Sequence, residues 1–368
     1  MKVGDRHYRS LWADRPRGPV HIIDQTRLPH AFETRTLDSP EAVAEAIETM
    51  RVRGAPLIGV TAAFGVALAM ARDPTNDNLR ESTRRLASTR PTAVNLAWAL
   101  ARMHEALDEL PPADRASAAW FEAQAIADED AALNESIGRH GLELIEREHA
   151  ARGGTVNVLT HCNAGWIATV DWGTALAPVY MAHDKGIPVH VWVDETRPRS
   201  QGLLTAWELA GHGVPHTLVA DNAGGHLMQH GKVDLVIVGA DRVTRKGDVC
   251  NKIGTYLKAL AARDNDVPFY AAVPTPTMDW EIDDALSGIP IEERSGEEMR
   301  IVRGLDGEGR PASVAIAPET TAVANPAFDV TPASLVTAIV TEKGIFPAKE
   351  AALLELFPRS RKSKAFLT

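Results

Sequence analysis

Two short stretches carry residues whose types suit proton chemistry at the edge of a sheet. One is Leu-Thr-His-Cys-Asn-Ala-Gly at 159–165, and the other is Gly-Ala-Asp-Arg at 239–242. Each follows a run of strand-forming apolar residues: Val156, Val158 and Leu159 before the first, Leu235 to Val238 before the second. In open α/β sheets, ligands sit outside the carboxyl ends of the strands, so both turns are candidate ligand turns. Asp241 is expected to be partly buried, which raises a carboxyl pKa and suits a general acid near neutral pH. An aspartate capping a turn would look the same in isolation.

Cys162 admits several roles. As a nucleophile it needs a base, but His161 is its neighbour on an extended chain and should point to the other face. As a metal ligand it lacks partners at a recognisable spacing. A thiol beside a reacting carbon could move a proton or tune charge, and a small buried residue is the commonest fate of a free cysteine. His226 and His230 share a helical face at i, i+4 without an acidic third ligand, so the spacing predicts no metal site. Cys250 is assigned a structural role.

These residues need elements to present them. After Gly153-Gly154, apolar runs of four to six residues alternate with helical segments: TVNVLTH, PVHVWVD, HTLVADN, DLVIVGAD, PFYAAVP and, later, SVAIAP. That alternation predicts a parallel, doubly wound sheet, closed by a last helix over 332–343. Its strand ends would gather His161, Cys162, Asn163, Asp194, Glu195, Gln201, Asp221, Asn222, Asp241 and Arg242 at one crevice. Asn251 and Lys252 would stand at the start of the helix that follows. Neither GxGxxG after the first strand nor GxxxxGK[ST] occurs, so the dinucleotide and P-loop phosphate cradles are absent.

The first 150 or so residues have another texture. Two short β candidates within 19–36 suggest a small antiparallel sheet, and Ser39-Pro40 caps a helix. Arg53-Gly54-Ala55-Pro56 restarts the chain into an apolar, Gly/Ala-rich run at 57–71, read as a close-packed buried helix too short to span a bilayer. Helix-start amides beside Arg51 and Arg53 could bind an anion, although a capped turn with solvated arginines accounts for the same pattern. Arg90-Pro91-Thr92 opens a further helix, with Val94, Ala97 and Trp98 as its expected buried side. A long helical stretch over 114–152 ends at the two glycines.

The chain is therefore expected to be α/β: a mainly helical N-terminal domain with a small antiparallel sheet over 1–152, then a Rossmann-like C-terminal domain with a parallel sheet over 153–368. Its 368 residues suit two domains. A net charge of −10 and a pI near 5.7 argue against a nucleic-acid surface. Two cysteines cannot build a disulfide framework and fit a reducing cytoplasm, and the N-terminus has no apolar signal segment. No membrane association is expected.

Taken in order, RGAP at 53–56, RPTAVNLAWAL at 90–100, LTHCNAG at 159–165, ETRPRSQG at 195–202, GADRV at 239–243, NKIGTY at 251–256 and NPAFDVTP at 325–332 resemble the methylthioribose-1-phosphate isomerase family. The likeness runs over nearly the whole chain. It implies an aldose–ketose isomerase of methionine salvage, on the fold shared with the regulatory subunits of translation initiation factor 2B and with ribose-1,5-bisphosphate isomerase. It also implies a homodimer, no cofactor and no metal. By this resemblance the catalytic pair falls on Cys162 and Asp241, and contacts to the sugar phosphate fall on Arg53, Gly54, Ala55, Arg90, Gln201, Asn251 and Lys252. Isomerisation of a related sugar 1-phosphate and a non-catalytic subunit on the same fold are the alternatives. The residues after LTHCNAG are usually small in the family, whereas here Trp166 follows Gly165 and Trp172 lies further on; Trp280 falls in the PTPTMDW loop, and the three would either pack the core or line the crevice.

Overall fold

The computed structural model describes residues 1–356; residues 357–368, the end of the expected second domain, lie outside the described residues. The chain starts with a β1 (Lys2–Val3) and β2 (Arg6–His7) ribbon. An antiparallel sheet of β3 (Leu11–Ala13), β4 (Val20–Ile23) and β5 (Thr34–Leu37) follows. Five helices come next: α1 (Pro40–Glu48), α2 (Ala55–Arg72), α3 (Asn76–Ala87), α4 (Val94–Leu107) and α5 (Pro112–Arg152). Ser39 caps α1 through its side chain, as its type and the following proline predict.

The helix α2 is the centre of this layer. It has 18 residues and is apolar enough to cross a bilayer by length and composition, longer than the apolar run in the sequence suggested. Fifteen of those residues are buried, because α1, α3, α4 and α5 pack around it. Such an all-round apolar helix is a core element. The buried side of α4 differs from expectation. It is Asn95, Leu96, Ala99, Leu100, Met103 and Leu107, with Val94 and Trp98 half-buried and Ala97 exposed, because α4 meets both α2 and α5.

Beyond Gly153 the chain builds β6 (Val156–Thr160), α6 (Ala177–Asp184), β7 (Val189–Asp194), α7 (Gly202–His212), β8 (His216–Val219), α8 (Ala223–Gln229) and β9 (Leu235–Val238). A β10 (Arg242–Thr244) and β11 (Val249–Lys252) hairpin follows, then α9 (Thr255–Asp264), β12 (Phe269–Ala272) and β13 (Met278–Asp279). The remainder holds α10 (Ala285–Gly288), α11 (Glu297–Arg300), β14 (Ile301–Leu305), β15 (Pro311–Ala315), β16 (Phe328–Thr331), β17 (Ala338–Thr341) and β18 (Gly344–Pro347).

The main sheet has the order β18-β17-β12-β9-β6-β7-β8, parallel except for β18. From β6 the chain winds outward to β7 and β8, then returns to the other side of β6 as β9. The β6–β9 gap is thus the topological switch point, where this architecture places its ligand crevice. A second sheet, β13-β10-β11-β16, grows from the β9 end.

Three expectations are corrected here. Residues 332–343 form a short turn and strand β17, not a closing helix. Ala338 to Thr341 are buried without a break, and a β-branched run enclosed on both faces pairs parallel to β12. The SVAIAP segment lies in a mostly exposed hairpin of β14 and β15 and does not join the main sheet. Asn251 and Lys252 end strand β11, and α9 begins only at Thr255.

Candidate active site

Cys162 follows β6 in a left-handed backbone conformation, φ 68°, which costs a non-glycine residue energy and is kept only where neighbours enforce it. Two threonines do so. The Cys162 amide donates to Thr196 Oγ1 at 2.8 Å, and Thr205 Oγ1 donates to the Cys162 carbonyl at 2.8 Å. His161 is buried and, although it borders the same crevice, has both ring nitrogens engaged. Its Nδ1 contacts Asp194 Oδ2 at 2.9 Å and its Nε2 contacts the Ile253 carbonyl at 2.8 Å. It is no base for the thiol.

Beneath the turn lies a buried polar network that the sequence did not announce. Glu208 of α7 accepts from Asn163 Nδ2, the Trp166 amide and the Tyr180 hydroxyl, each at 2.8 Å. Burial pushes the Glu208 carboxyl upward, against those donors. Asn163 in turn accepts from Arg53 through its carbonyl at 3.2 Å and through Oδ1. Gly165 allows the carboxylate to come this close, because a Cβ there would lie 1.8 Å from Glu208 Oε2. One glutamate inside an amphipathic helix carries no sequence mark of such a role.

The second half of the site comes from the adjacent strand. Asp241 lies in the loop between β9 and β10, half-buried, with its amide bonded to the Cys250 carbonyl at 3.0 Å. Burial raises its carboxyl above the ordinary range, although Lys252, Arg90 and Arg53 oppose the rise. The Cys162 thiol is likewise pushed up by burial, against the pull of Arg53 and Lys252. Both groups therefore favour their protonated forms. Lys252 is desolvated and lowered, its ammonium 4.4 Å above the Phe328 ring.

The helical layer supplies the opposite wall. Gly54 precedes α2 with φ 98°, and a Cβ on it would lie 2.3 Å from the Ala168 carbonyl. Only a glycine brings the α2 start against the turn after Cys162. Arg53, Gly54, Ala55, Arg90, Cys162, Gln201, Asp241, Asn251 and Lys252 line one crevice, together with Met50, Ile58, Ala168, Pro274 and Phe328. They enclose about 720 Å³ of space, counting the part open to solvent. Gln201 Oε1 is buried there with no hydrogen-bond partner, an acceptor left for a donor of the ligand.

Other strand-end residues stand behind this surface. Asp194 pairs with His161 and with Lys258 Nζ at 3.0 Å. Asp221 caps the amides of Thr196 and Arg197 at 2.6 and 2.7 Å. His161, Asp194 and Asp221 come close enough to hold a cation, but the Lys258 ammonium reaches both Asp194 and the Asp221 carbonyl. Trp166 is fully buried against Trp207, and Trp172 and Trp280 pack on the cores either side of the sheet. None of the three lines the crevice.

Residues 51–348 match the model of the Initiation factor 2 subunit family. A methylthioribose-1-phosphate isomerase of Acidiphilium cryptum is 62% identical over 360 residues, covering 97% of this chain and 98% of that protein. The crystal structure of 5-methylthioribose 1-phosphate isomerase from Pyrococcus horikoshii superposes with a TM-score of 0.82 at 40% identity, over 96% of each chain. That of translation initiation factor eIF-2B, subunit delta, from A. fulgidus gives 0.77 at 39% identity, over 95% of this chain and 99% of that one. The chain belongs to the initiation factor 2 subunit family and, within it, to the methylthioribose-1-phosphate isomerases.

Proposed function

We propose that this protein converts 5-methylthioribose 1-phosphate to 5-methylthioribulose 1-phosphate in methionine salvage, in the cytoplasm. The observation that carries this reading is a thiol and a carboxyl on adjacent strand ends, the half-buried Cys162 and Asp241, lining one crevice with Arg53, Arg90 and Lys252. The cations suit a phosphate, with Arg as the bidentate partner. Apolar Met50, Ile58, Ala168 and Pro274 suit a thioether better than a second phosphate. Asn251 and the free Gln201 acceptor suit sugar hydroxyls.

An aldose 1-phosphate cannot open its ring by losing an anomeric proton, because the phosphate occupies that oxygen. Protonated Asp241 gives its proton to the ring oxygen as the C1–O bond breaks, leaving C1 electron-poor. The hydrogen on C2 then moves to C1 with its electron pair, and ionised Asp241 takes the C2 hydroxyl proton. The ketone forms and Asp241 ends as it began. The alternative is proton transfer through an enediol with Cys162 as base. A thiol held in its protonated form by burial supports the hydride route and leaves Cys162 to shape the field at C2.

Turnover of C2-deuterated substrate tests both levels. We expect deuterium retained at C1; complete wash-out into solvent eliminates hydride transfer. Faster turnover of ribose 1,5-bisphosphate would replace the substrate assignment.

We also propose that residues 1–152 and 153–368 work as two units around the crevice, the first lending Arg53 and Arg90. A hydrophobic core drawn from residues 11–131 with Val170 supports this division. Limited proteolysis releasing some other pair of fragments would count against it. Finally, we propose that two copies pair, a reading supported by exposed Tyr256, Leu257 and Leu260 along α9.

A further inference from the structure

Arg90 does not stand alone at the crevice wall. Its Nη2 donates to Glu292 Oε2 at 3.1 Å, and Arg294 Nη1 donates to Glu292 Oε1 at 2.6 Å. Glu292 thus spends one carboxylate oxygen on each guanidinium. Arg294 continues to Glu298 through Nη2 at 2.7 Å, and Glu298 Oε1 accepts from Arg199 Nη1 at 2.7 Å. Arg199 sits two residues before Gln201, whose side chain lines the crevice. The result is an unbroken chain of alternating charge, Arg90–Glu292–Arg294–Glu298–Arg199.

This chain joins three separate pieces: the loop before α4, the 289–300 segment and the loop after β7. Asn325, the first residue of the NPAFDVTP stretch, fixes the middle piece. It is 2% exposed, donates to the Ser295 carbonyl at 3.0 Å and to Glu298 Oε2 at 3.2 Å, and accepts from the Arg294 amide at 3.0 Å. A second grip on the Arg90 loop comes from Arg242, which donates to the Thr92 carbonyl at 2.8 Å.

Exposed ion pairs contribute little to stability. These side chains are mostly shielded, with Arg90 at 14%, Glu292 at 26% and Glu298 at 15% exposure. A bridging carboxylate also fixes where a guanidinium points. Three guanidiniums against two carboxylates leave one positive charge in excess, so the chain orients Arg90 without cancelling the site's attraction for an anion.

We propose that Glu292 is a positioning residue for the isomerase reaction: it holds the Arg90 guanidinium at the crevice mouth to receive the substrate phosphate, and Arg294, Glu298 and Arg199 hold Glu292. This rests on the functional reading above, which gives Arg90 a phosphate contact. The effect belongs on substrate binding, because the phosphate stays put while C1 and C2 react.

The test is a double-mutant cycle on Arg90→Ala and Glu292→Gln, read by steady-state kinetics and by calorimetric binding of inorganic phosphate. We expect Glu292→Gln to raise KM about fivefold, to change kcat by less than about twofold, and to weaken phosphate binding in parallel. In the Arg90→Ala background, Glu292→Gln should add less than about a twofold change, because the two act as one unit. Should Glu292→Gln not fold, Glu298→Gln reports on the same chain from its far side and should raise KM in the same direction. An unchanged or lowered KM, a loss confined to kcat, or an undiminished effect without Arg90 would overturn the proposal. A wild-type protein inert toward methylthioribose 1-phosphate, whose phosphate binding still weakens in Glu292→Gln, would remove the substrate assignment and leave the positioning role standing.

Discussion

Asp241 places a carboxyl where burial disfavours its charge, and the proposed proton donation depends on that unfavourable placement. A carboxyl whose folded pKa is raised contributes stability below the ordinary carboxyl range and loses it as pH rises through the folded value. Above the folded value the charged aspartate is a burden on the fold. Asp241→Asn removes the titration and should lower kcat about a thousandfold, in line with loss of a general acid. It should also melt above wild type at neutral and basic pH, the gap closing toward acid. Near-wild-type turnover would sink the acid assignment, and a melting point lowered equally at every pH would sink the electrostatic account. Apolar runs ending in Gly-Ala-Asp and Thr-His-Cys marked both residues in the sequence. The left-handed conformation of Cys162 was not legible, since it is imposed by Thr196 and Thr205, far along the chain.

At the scale of elements, the turn after β6 and the helix α7 form one piece. Glu208 reaches from α7 to the amides and side chains of that turn, and Gly165 keeps the space it needs. Gly165→Ala would drive a methyl group into the fully buried Glu208 carboxyl group and should cost about 1–3 kcal/mol, as overpacking in a closed core does. Chemical denaturation measures this directly. A cost near zero would mean that Glu208 can turn away and that the network does not set the turn. The alternation of strands and helices was legible because its period is local. Misjudged pieces fail where tertiary pairing overrides that period. Ala338 to Thr341 join a sheet because β12 leaves an open edge, and Asn251 and Lys252 lie on a strand because β16 pairs with them.

Over the whole molecule, the crevice sits where the strand order reverses, and the helical layer closes it from outside the sheet. A strand-end argument alone finds Cys162 and Asp241. It misses Arg53 and Arg90 as partners of that crevice, because nothing local says where a separate layer will land; the family resemblance supplied them. The packing of α5 explains the landing. Its Ile137, Leu144 and Ile145 belong to the same core as β6, β7 and β9, so the helical layer cannot drift from the sheet. Light scattering at micromolar concentration should report a particle twice the chain mass of 39.8 kDa. A monomer mass that persists on raising the concentration would refute pairing.

The network under Cys162 also bears on how portable this chemistry is. Grafting a cysteine and an aspartate onto neighbouring strand ends of another parallel sheet would reproduce the two side chains and little else. The thiol points into the crevice because Thr196 and Thr205 hold a backbone that cysteine resists, and Asn163 stays in place because Glu208 and Arg53 bind it from both sides. The smallest transplantable unit is therefore the β6 turn with Gly165, the loop carrying Thr196, the α7 face carrying Thr205 and Glu208, and the arginine before α2.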